Sequence, residues 1–228
     1  PDKGKNIQTA CGKIREAAKN GADFAVLPEM FCCPYDNACF RAYGEPEGGP
    51  AYQMLSRAAR ELNLWLVGGS LPELDGDKIY NTAYVFDPTG TCVARHRKMH
   101  LFDIDVQGGQ SFRESATLSP GNDITLFDTP YGRIGLCICF DMRFPELARI
   151  MSQDGAWAVF CPASFNMTTG PAHWEVIFRS RAVESQVYTL GCAPARDEQG
   201  SYVSYANSIA VSPWGDVIAR AGAEETTL

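Results

Sequence analysis

Three side chains that could act together in catalysis each lie just past a short segment that the sequence predicts to be a strand. Glu29 follows FAVLP, Lys98 follows CVARHR and Cys139 follows RIGLCI. The apolar runs FAVL and IGLCI are typical of buried strands, and α/β proteins bind ligands in the crevice at the carboxyl ends of their strands. The spacing therefore predicts that a carboxylate, an ammonium and a thiol meet at one site.

This set of groups fits acyl transfer. A cysteine thiolate is a strong nucleophile, but it needs a base to take its proton and a positive field to stabilise it. Glu29 could accept the thiol proton and return it to a departing amine. Lys98 and the backbone N–H of Phe140 could hold the oxyanion, and a helix that begins after Cys139 would favour the thiolate.

Each residue also has an ordinary structural interpretation. Glu29 and Lys98 could be solvated residues at strand ends. Cys137 lies two positions before Cys139, and most cysteines in apolar runs are inert core residues, so the residues alone leave the choice of nucleophile open. His173 is an alternative base in a Cys–His mechanism.

The elements that must position these residues alternate between helix and strand. Helical periodicity covers 7–18 and 51–62, and further helices are predicted from Pro145 to about Met151 and from Trp174 to about Gln186. Buried strands are predicted at 24–27, 64–71, 156–161 and 188–193. Turns with Pro followed two places later by Gly predict antiparallel hairpins over 82–96, 124–139 and 208–219. We expect one mixed α/β domain over residues 1–228.

Composition limits the classes of function. Hydrophobic residues are 45% of the 228 residues, and 20 basic against 27 acidic residues give a formal charge of -7, which disfavours nucleic acid as a partner. We expect no membrane segment, because no apolar stretch approaches the roughly 18 residues that a transmembrane helix needs. The sequence contains no phosphate-binding or dinucleotide-binding glycine motif, so we expect no cofactor.

Nine cysteines, an odd number in a chain of this size, predict reduced thiols and a cytoplasmic or similar reducing compartment. Cys32, Cys33 and Cys39 are the best candidates for metal ligands. They form no paired C-x-x-C element, so we expect no metal.

Three segments resemble the signatures of the nitrilase, or carbon–nitrogen hydrolase, superfamily, in the same order along the chain. They are LPEMF around Glu29, RHRKMHLFD around Lys98 and CFDMRFPEL from Cys139. The resemblance implies that Glu29 is the base, Lys98 the oxyanion cation and Cys139 the nucleophile of a thioester mechanism without cofactor. It also implies that Glu114 is a second catalytic glutamate, although its own segment, SFRES, indicates a surface position.

The resemblance extends over nearly the whole chain and implies a four-layer αββα sandwich with mixed, partly antiparallel sheets. Members of the family usually begin with a core strand before the first helix and continue past the position of Leu228 with a strand and a tail. The chain is therefore expected to lack those two elements. Family members also imply a homodimer or a higher homo-oligomer.

Within the superfamily, the segment SFNMTTGPAHWE looks like the omega-amidase branch, which hydrolyses the terminal amide of alpha-ketoglutaramate and alpha-ketosuccinamate. The alternatives are another amidase branch, acting on deaminated glutathione or a carbamoyl amine, or a non-catalytic binding module on the same fold. The residues expected to contact the amide substrate are spread over three segments: Phe31, Tyr35, Arg143, Phe165, Asn166, Thr168, Thr169 and His173. For Arg143, pairing with Asp141 or Glu146 is the structural alternative.

Overall fold

The computed structural model describes residues 2–228, so Pro1 lies outside the described residues. The helices are α1 (Lys3–Lys19), α2 (Asn37–Tyr43), α3 (Pro50–Leu62), α4 (Pro145–Gln153) and α5 (Gly170–Ser185). The strands are β1 (Phe24–Val26), β2 (Trp65–Val67), β3 (Leu71–Asp75), β4 (Lys78–Phe86), β5 (Cys92–Arg97), β6 (Asp103–Asp105), β7 (Ser111–Arg113), β8 (Thr125–Thr129), β9 (Gly132–Leu136), β10 (Ala156–Pro162), β11 (Tyr188–Cys192), β12 (Ile209–Val211) and β13 (Val217–Arg220).

The first sheet is built around the long strand β4. One edge of β4 pairs antiparallel with β2 and then with β3, and its other edge pairs with β5. Strand β1 adds to β2 in parallel. Eight of the nine residues of β4 are buried, which is expected for a central strand covered on both faces.

The second sheet has the strand order β13-β12-β11-β10-β9-β8. Its three central strands, β9, β10 and β11, are parallel, and the outer strands pair antiparallel. The parallel strands end at the same edge of the sheet, and the segment that contains Cys139 leaves β9 at that edge.

The two sheets pack face to face through an apolar core that includes Val85 of β4, Leu136 of β9 and Phe160 of β10. Helices α1 and α3 cover the outer face of the first sheet, where Ile14 and Leu55 are fully buried. Helices α4 and α5 cover the outer face of the second sheet. The predicted αββα sandwich is confirmed.

Most predicted elements are present within one to four residues of their expected bounds, including the three hairpins. The single strand predicted over 64–71 is wrong: β2 ends at Val67 and β3 begins at Leu71. Gly69 between them has φ +60°, which breaks the extended run. Helix α2 and the short pair β6–β7 were not predicted. Within residues 2–228, every helix is too short or too polar to cross a bilayer.

Candidate active site

Glu29 lies on the bend after β1, which the break between β2 and β3 holds in place. Ser70 accepts the N–H of Met30 on its Oγ, at 3.0 Å, and the N–H of Phe31 on its carbonyl, at 3.2 Å. A Cβ on Gly69 would lie 2.3 Å from the carbonyl oxygen of Pro28, so only glycine permits this approach. The error in the predicted strand thus falls on the segment that positions Glu29.

Lys98 lies one residue past β5, and its side chain is fully buried. Its backbone N–H donates to the carbonyl of Asn81 on β4, at 2.8 Å. Its Nζ donates to Glu29 Oε1 at 2.8 Å, to Glu114 Oε2 at 2.9 Å and to the Tyr35 hydroxyl at 3.1 Å. The three protons of the ammonium therefore all have partners, two of them carboxylates.

Glu114 lies in a 3-10 turn directly after β7, and it is fully buried. Besides Lys98, its Oε2 accepts the backbone N–H of Phe102 at 2.6 Å, and its Oε1 accepts Nδ2 of Asn81 at 3.1 Å. The surface position that its own segment indicated is wrong. The chain returns through β6 and β7, and this short hairpin carries Glu114 back to Lys98.

Cys139 opens a five-residue 3-10 helix and has φ +48°, a left-handed conformation that is uncommon for a residue with a side chain. Its thiol lies within interaction range of the Glu29 carboxyl. Cys137 is instead buried against the sulfur of Met142, at 3.8 Å. The two cysteines therefore face different surroundings.

Asp141 fixes the turn that carries Cys139. Its Oδ2 accepts the backbone N–H of Ile138 at 3.0 Å and Nε2 of His96 at 2.9 Å. Its Oδ1 accepts the backbone N–H groups of Met99 and His100 and Nδ1 of His100. One buried carboxylate thus connects the Cys139 turn to the segment on either side of Lys98.

Burial and charge set the protonation of the site. Burial raises the pKa of Glu29 above its ordinary value of 4.5, partly opposed by Lys98, and Glu114 raises it further. Burial likewise raises the pKa of the Cys139 thiol, and the Glu29 charge adds to the effect. Burial alone would lower the pKa of Lys98, but Glu114 and Glu29 hold it well above its ordinary value. The resting site thus favours a protonated thiol beside a charged lysine.

Arg143 lies at the end of the same 3-10 helix. Its guanidinium is 5.3 Å from the ring centroid of Phe140 and 4.8 Å from that of Phe165, and it donates to Nδ1 of His173 at 2.9 Å. Among the described residues no carboxylate lies within salt-bridge distance of it, so the alternative of pairing with Asp141 or Glu146 is wrong. Arg143 is a half-buried cation without a counter-ion.

The other residues expected to bind substrate have mixed surroundings. Phe31 and Tyr35 line the cleft that reaches Glu29. Asn166 and Thr169 are buried and bonded to each other, since Asn166 Oδ1 accepts the N–H and the hydroxyl of Thr169. Thr168 is exposed. Asn166 and Thr169 therefore shape the start of α5, while Phe31 and Tyr35 lie at the cleft.

Two residues of the site were missed from the sequence. Asn81 is fully buried between Glu29 and Glu114, and the ring of Tyr202 packs at a tilt against that of Tyr35, with ring centroids 4.7 Å apart. A polar residue inside the apolar run IYNTAYVF was a usable signal for Asn81, because buried polar groups need partners. Tyr202 follows a loop whose sequence gives no such signal.

The alternative base, His173, is exposed and lies against Arg143. Partial burial and the Arg143 charge lower the pKa of His173.

Within residues 2–228, no group of three or more histidine, cysteine or acidic side chains is arranged to hold a metal ion.

A four-layer α/β fold with a carboxylate, an ammonium and a thiol buried together at its strand ends defines a class of hydrolases that act on carbon–nitrogen bonds. The chain belongs to the carbon–nitrogen hydrolase family, whose sequence profile matches residues 1–228.

Several relatives carry one activity in their names. Omega-amidase NIT2 of Bos taurus is 53% identical over 98% of this chain and 81% of its own length, and the Homo sapiens protein of that name is 53% identical over the same shares. The crystal structure of Saccharomyces cerevisiae Nit3, a member of branch 10 of the nitrilase superfamily, superposes with a TM-score of 0.92 at 45% identity, covering 99% of this chain and 83% of that one.

A structure of a variant amidase from Nesterenkonia sp. AN1 shows acrylamide added to its active-site cysteine. It superposes with a TM-score of 0.84 at 25% identity and covers 98% of this chain and 85% of that chain.

Proposed function

We propose that residues 1–228 act as one omega-amidase domain that hydrolyses the terminal amide of alpha-keto acid monoamides such as alpha-ketoglutaramate and alpha-ketosuccinamate. The products are a dicarboxylic keto acid and ammonia. The observation that carries the proposal is the buried cluster of Glu29, Lys98, Glu114 and Cys139, with the unpaired cation Arg143 four residues after the thiol. The names of the relatives support the choice of substrate.

In the first half of the reaction, Glu29 takes the proton of the Cys139 thiol as the sulfur attacks the amide carbon. Oε1 of Glu29 accepts from three donors, whereas Oε2 has no hydrogen-bond partner among the described residues. Oε2 is thus the oxygen left for the thiol proton. When the carbon–nitrogen bond breaks, Glu29 passes this proton to the leaving nitrogen, and ammonia departs from a thioester.

In the second half, Glu29 takes a proton from a water that attacks the thioester carbon. The carbon–sulfur bond then breaks, the carboxylic acid forms, and Glu29 returns the proton to Cys139. The oxyanion of each tetrahedral intermediate is held by Lys98 and the backbone N–H of Phe140.

Lys98 must exchange one partner to reach the oxyanion, because its three protons already have acceptors. The contact to the Tyr35 hydroxyl is the longest of the three, at 3.1 Å, and it is the one to a neutral group. We propose that this contact is given up as the oxyanion develops, while Glu29 and Glu114 keep the ammonium in place.

Arg143 binds the free carboxylate of the substrate in this proposal. A guanidinium that is half buried without a counter-ion is an unpaired charge, and an anionic ligand would supply its partner. His173 accepts one N–H and so holds the guanidinium between the rings of Phe140 and Phe165.

The test is ammonia release from alpha-ketoglutaramate and from a neutral amide of similar length. Wild-type protein should prefer the anionic substrate. Arg143→Gln should raise KM for alpha-ketoglutaramate roughly ten- to hundredfold, the range expected for one charged hydrogen bond, and should leave the neutral amide nearly unchanged. Arg149→Gln, an exposed arginine on α4, is the matched control. Equal turnover of both amides by wild type would overturn the assignment of substrate.

We also propose that the protein resides in a reducing compartment, because all nine cysteines are free thiols.

We propose further that the protein forms a homodimer through an exposed apolar surface. Trp214 is 86% exposed, its neighbour Gly215 lies against the exposed Val183 of α5, and Val176 lies two turns earlier on the same helix face. Sedimentation velocity of wild type and Trp214→Ser would test the assembly, since the variant should shift toward monomer.

A further inference from the structure

Asn81 is the residue of β4 that lies opposite Lys98. Beyond the last paired residues of β4 and β5, Thr82 and Arg97, the carbonyl of Asn81 accepts the backbone N–H of Lys98 at 2.8 Å. The side chain of Asn81 leaves the strand on the same side as Lys98, is fully buried, and reaches both carboxylates that flank the ammonium.

The amide group of Asn81 makes two unequal contacts. Nδ2 donates to Glu29 Oε1 at 2.8 Å and to Glu114 Oε1 at 3.1 Å. Each of its two protons therefore has a carboxylate, and the two negative groups share a neutral donor in addition to Lys98. Asn81 Oδ1 has no partner among residues 2–228, so the side chain is held only through its donor end.

The contact to Glu29 decides which oxygen of that carboxylate is free. Oε1 is occupied by Lys98, Asn81 and Tyr35, and Oε2 carries no hydrogen bond. A rotation of the Glu29 carboxylate would break the 2.8 Å bonds to both Asn81 and Lys98. The amide thereby fixes the orientation in which Oε2 is available to the thiol.

We infer that Asn81 is a positioning residue of the thiol hydrolase site, which fixes the carboxylate of Glu29 with Oε2 free for the Cys139 proton and holds the carboxylates of Glu29 and Glu114 side by side. The inference rests on the proposed function for the role of Glu29. It predicts that Asn81 acts on the chemical step and on the pH at which the thiol reacts, and not on substrate affinity.

Two variants remove the donor in different ways. Asn81→Leu is similar in size and has no polar group, whereas Asn81→Asp places a third carboxylate against the other two. Both should raise the pH at which Glu29 becomes available as a base, because a lost donor and an added negative charge each disfavour its ionised form. Thr82→Val is the control, since the neighbouring Thr82 loses one buried hydrogen bond, to Glu73, away from the site.

The first measurement is the rate of iodoacetamide alkylation at Cys139 against pH, followed by mass spectrometry of the cysteine peptides. It needs no substrate, so it remains informative even where the proposed amidase activity fails. We expect the midpoint of the profile to rise by about one unit in Asn81→Asp and in the same direction in Asn81→Leu, with no change in Thr82→Val.

The second measurement separates kcat from KM with alpha-ketoglutaramate. The Asn81 variants should lose roughly tenfold or more in kcat, the range for one hydrogen bond to a charged group, with KM within a factor of three of wild type. Asn81→Ala, which also removes the donor, replaces any variant that circular dichroism shows to be unfolded. Alkylation profiles and kcat values that coincide with those of Thr82→Val would overturn the inference.

Discussion

The carboxylate of Asp141 accepts a 2.9 Å hydrogen bond from Nε2 of His96, and both side chains are fully buried. His96 lies on β5, two residues before Lys98, and Asp141 lies two residues after Cys139. The bond therefore crosses from the first sheet to the second and ties together the two segments that carry the cation and the thiol. The distance between these two groups depends on this crossing as well as on the packing of the sheets.

Asp141→Asn should destabilise the folded protein by about 2 kcal/mol or more at neutral pH, because a buried carboxylate that accepts five donors is replaced by an amide that must place an N–H among them. Urea unfolding followed by circular dichroism measures the loss. Asp128→Asn, which removes one partner of an exposed pair with Arg133, is the control and should leave the free energy of unfolding nearly unchanged, because solvent screens exposed ion pairs.

The contribution of Asp141 to the free energy of unfolding should decrease at acid pH. Burial alone would raise its pKa, but hydrogen bonds from His100, His96 and the Ile138 N–H hold the pKa well below its ordinary value of 3.8. A depressed folded pKa means that the stabilisation is complete above the unfolded value and is lost as pH falls through the folded value. The difference in free energy of unfolding between wild type and Asp141→Asn should therefore become smaller below about pH 4. A difference that grows below this pH would contradict the stabilising role of the ionised Asp141.

Cys139→Ala should abolish ammonia release from alpha-ketoglutaramate, whereas Cys137→Ala should retain most of it. Cys137 packs against Met142 inside the core, so its loss removes packing and not the nucleophile. Both variants are compared at equal folded fraction. Equal loss in the two would show that the thiol roles are wrongly assigned.

The pH profile of kcat/KM should have an acid limb whose midpoint lies above pH 4.5. Glu29 must be ionised to take the thiol proton, and burial raises its pKa above that ordinary value. Activity should therefore fall at a higher pH than for an exposed carboxyl base. A pH–rate profile measured where the fold is intact gives the midpoint, and a value at or below 4.5 would be inconsistent with Glu29 in this environment.

Glu114→Gln should move this acid limb to lower pH while lowering kcat. The charge of Glu114 raises the pKa of Glu29, so its neutralisation lets Glu29 ionise more easily. The same change removes one of the two carboxylates that hold Lys98, which should cost on the order of a hundredfold in kcat through a misplaced cation. An unchanged or upward-shifted limb would mean that Glu114 does not act on Glu29 electrostatically.

Much of the architecture could be predicted because its signals are local. Apolar periodicity predicted α1, and the Pro-x-Gly turns predicted the hairpins, since each signal depends on a few neighbouring residues. The break between β2 and β3 could not be found in this way. Gly69 adopts its conformation because Pro28, forty-one residues earlier, passes against it, and that contact exists only in the folded chain.

The residues of the site also divide into those with local sequence signals and those whose role depends on contacts far along the chain. The three strand ends placed Glu29, Lys98 and Cys139 by a general rule of α/β folds, whereas Glu114 read as a surface residue until the resemblance named it. Its burial is produced by the β6–β7 pair, whose three-residue strands are too short for a periodic signal. Asn81 and Asp141 are significant only through partners far along the chain.

Two carboxylates around one ammonium leave the reacting end of the site with one formal negative charge in excess. In the proposed reaction an uncharged amide enters beside Glu29 and Glu114, and the carboxylic acid produced in its place loses a proton to become a carboxylate. The product would then be repelled at the end where the bond was cut, while Arg143 still attracts its other end. The excess negative charge would thus weaken binding of the product carboxylate at this end relative to binding of the uncharged amide. The charge that hydrolysis creates would then promote product release.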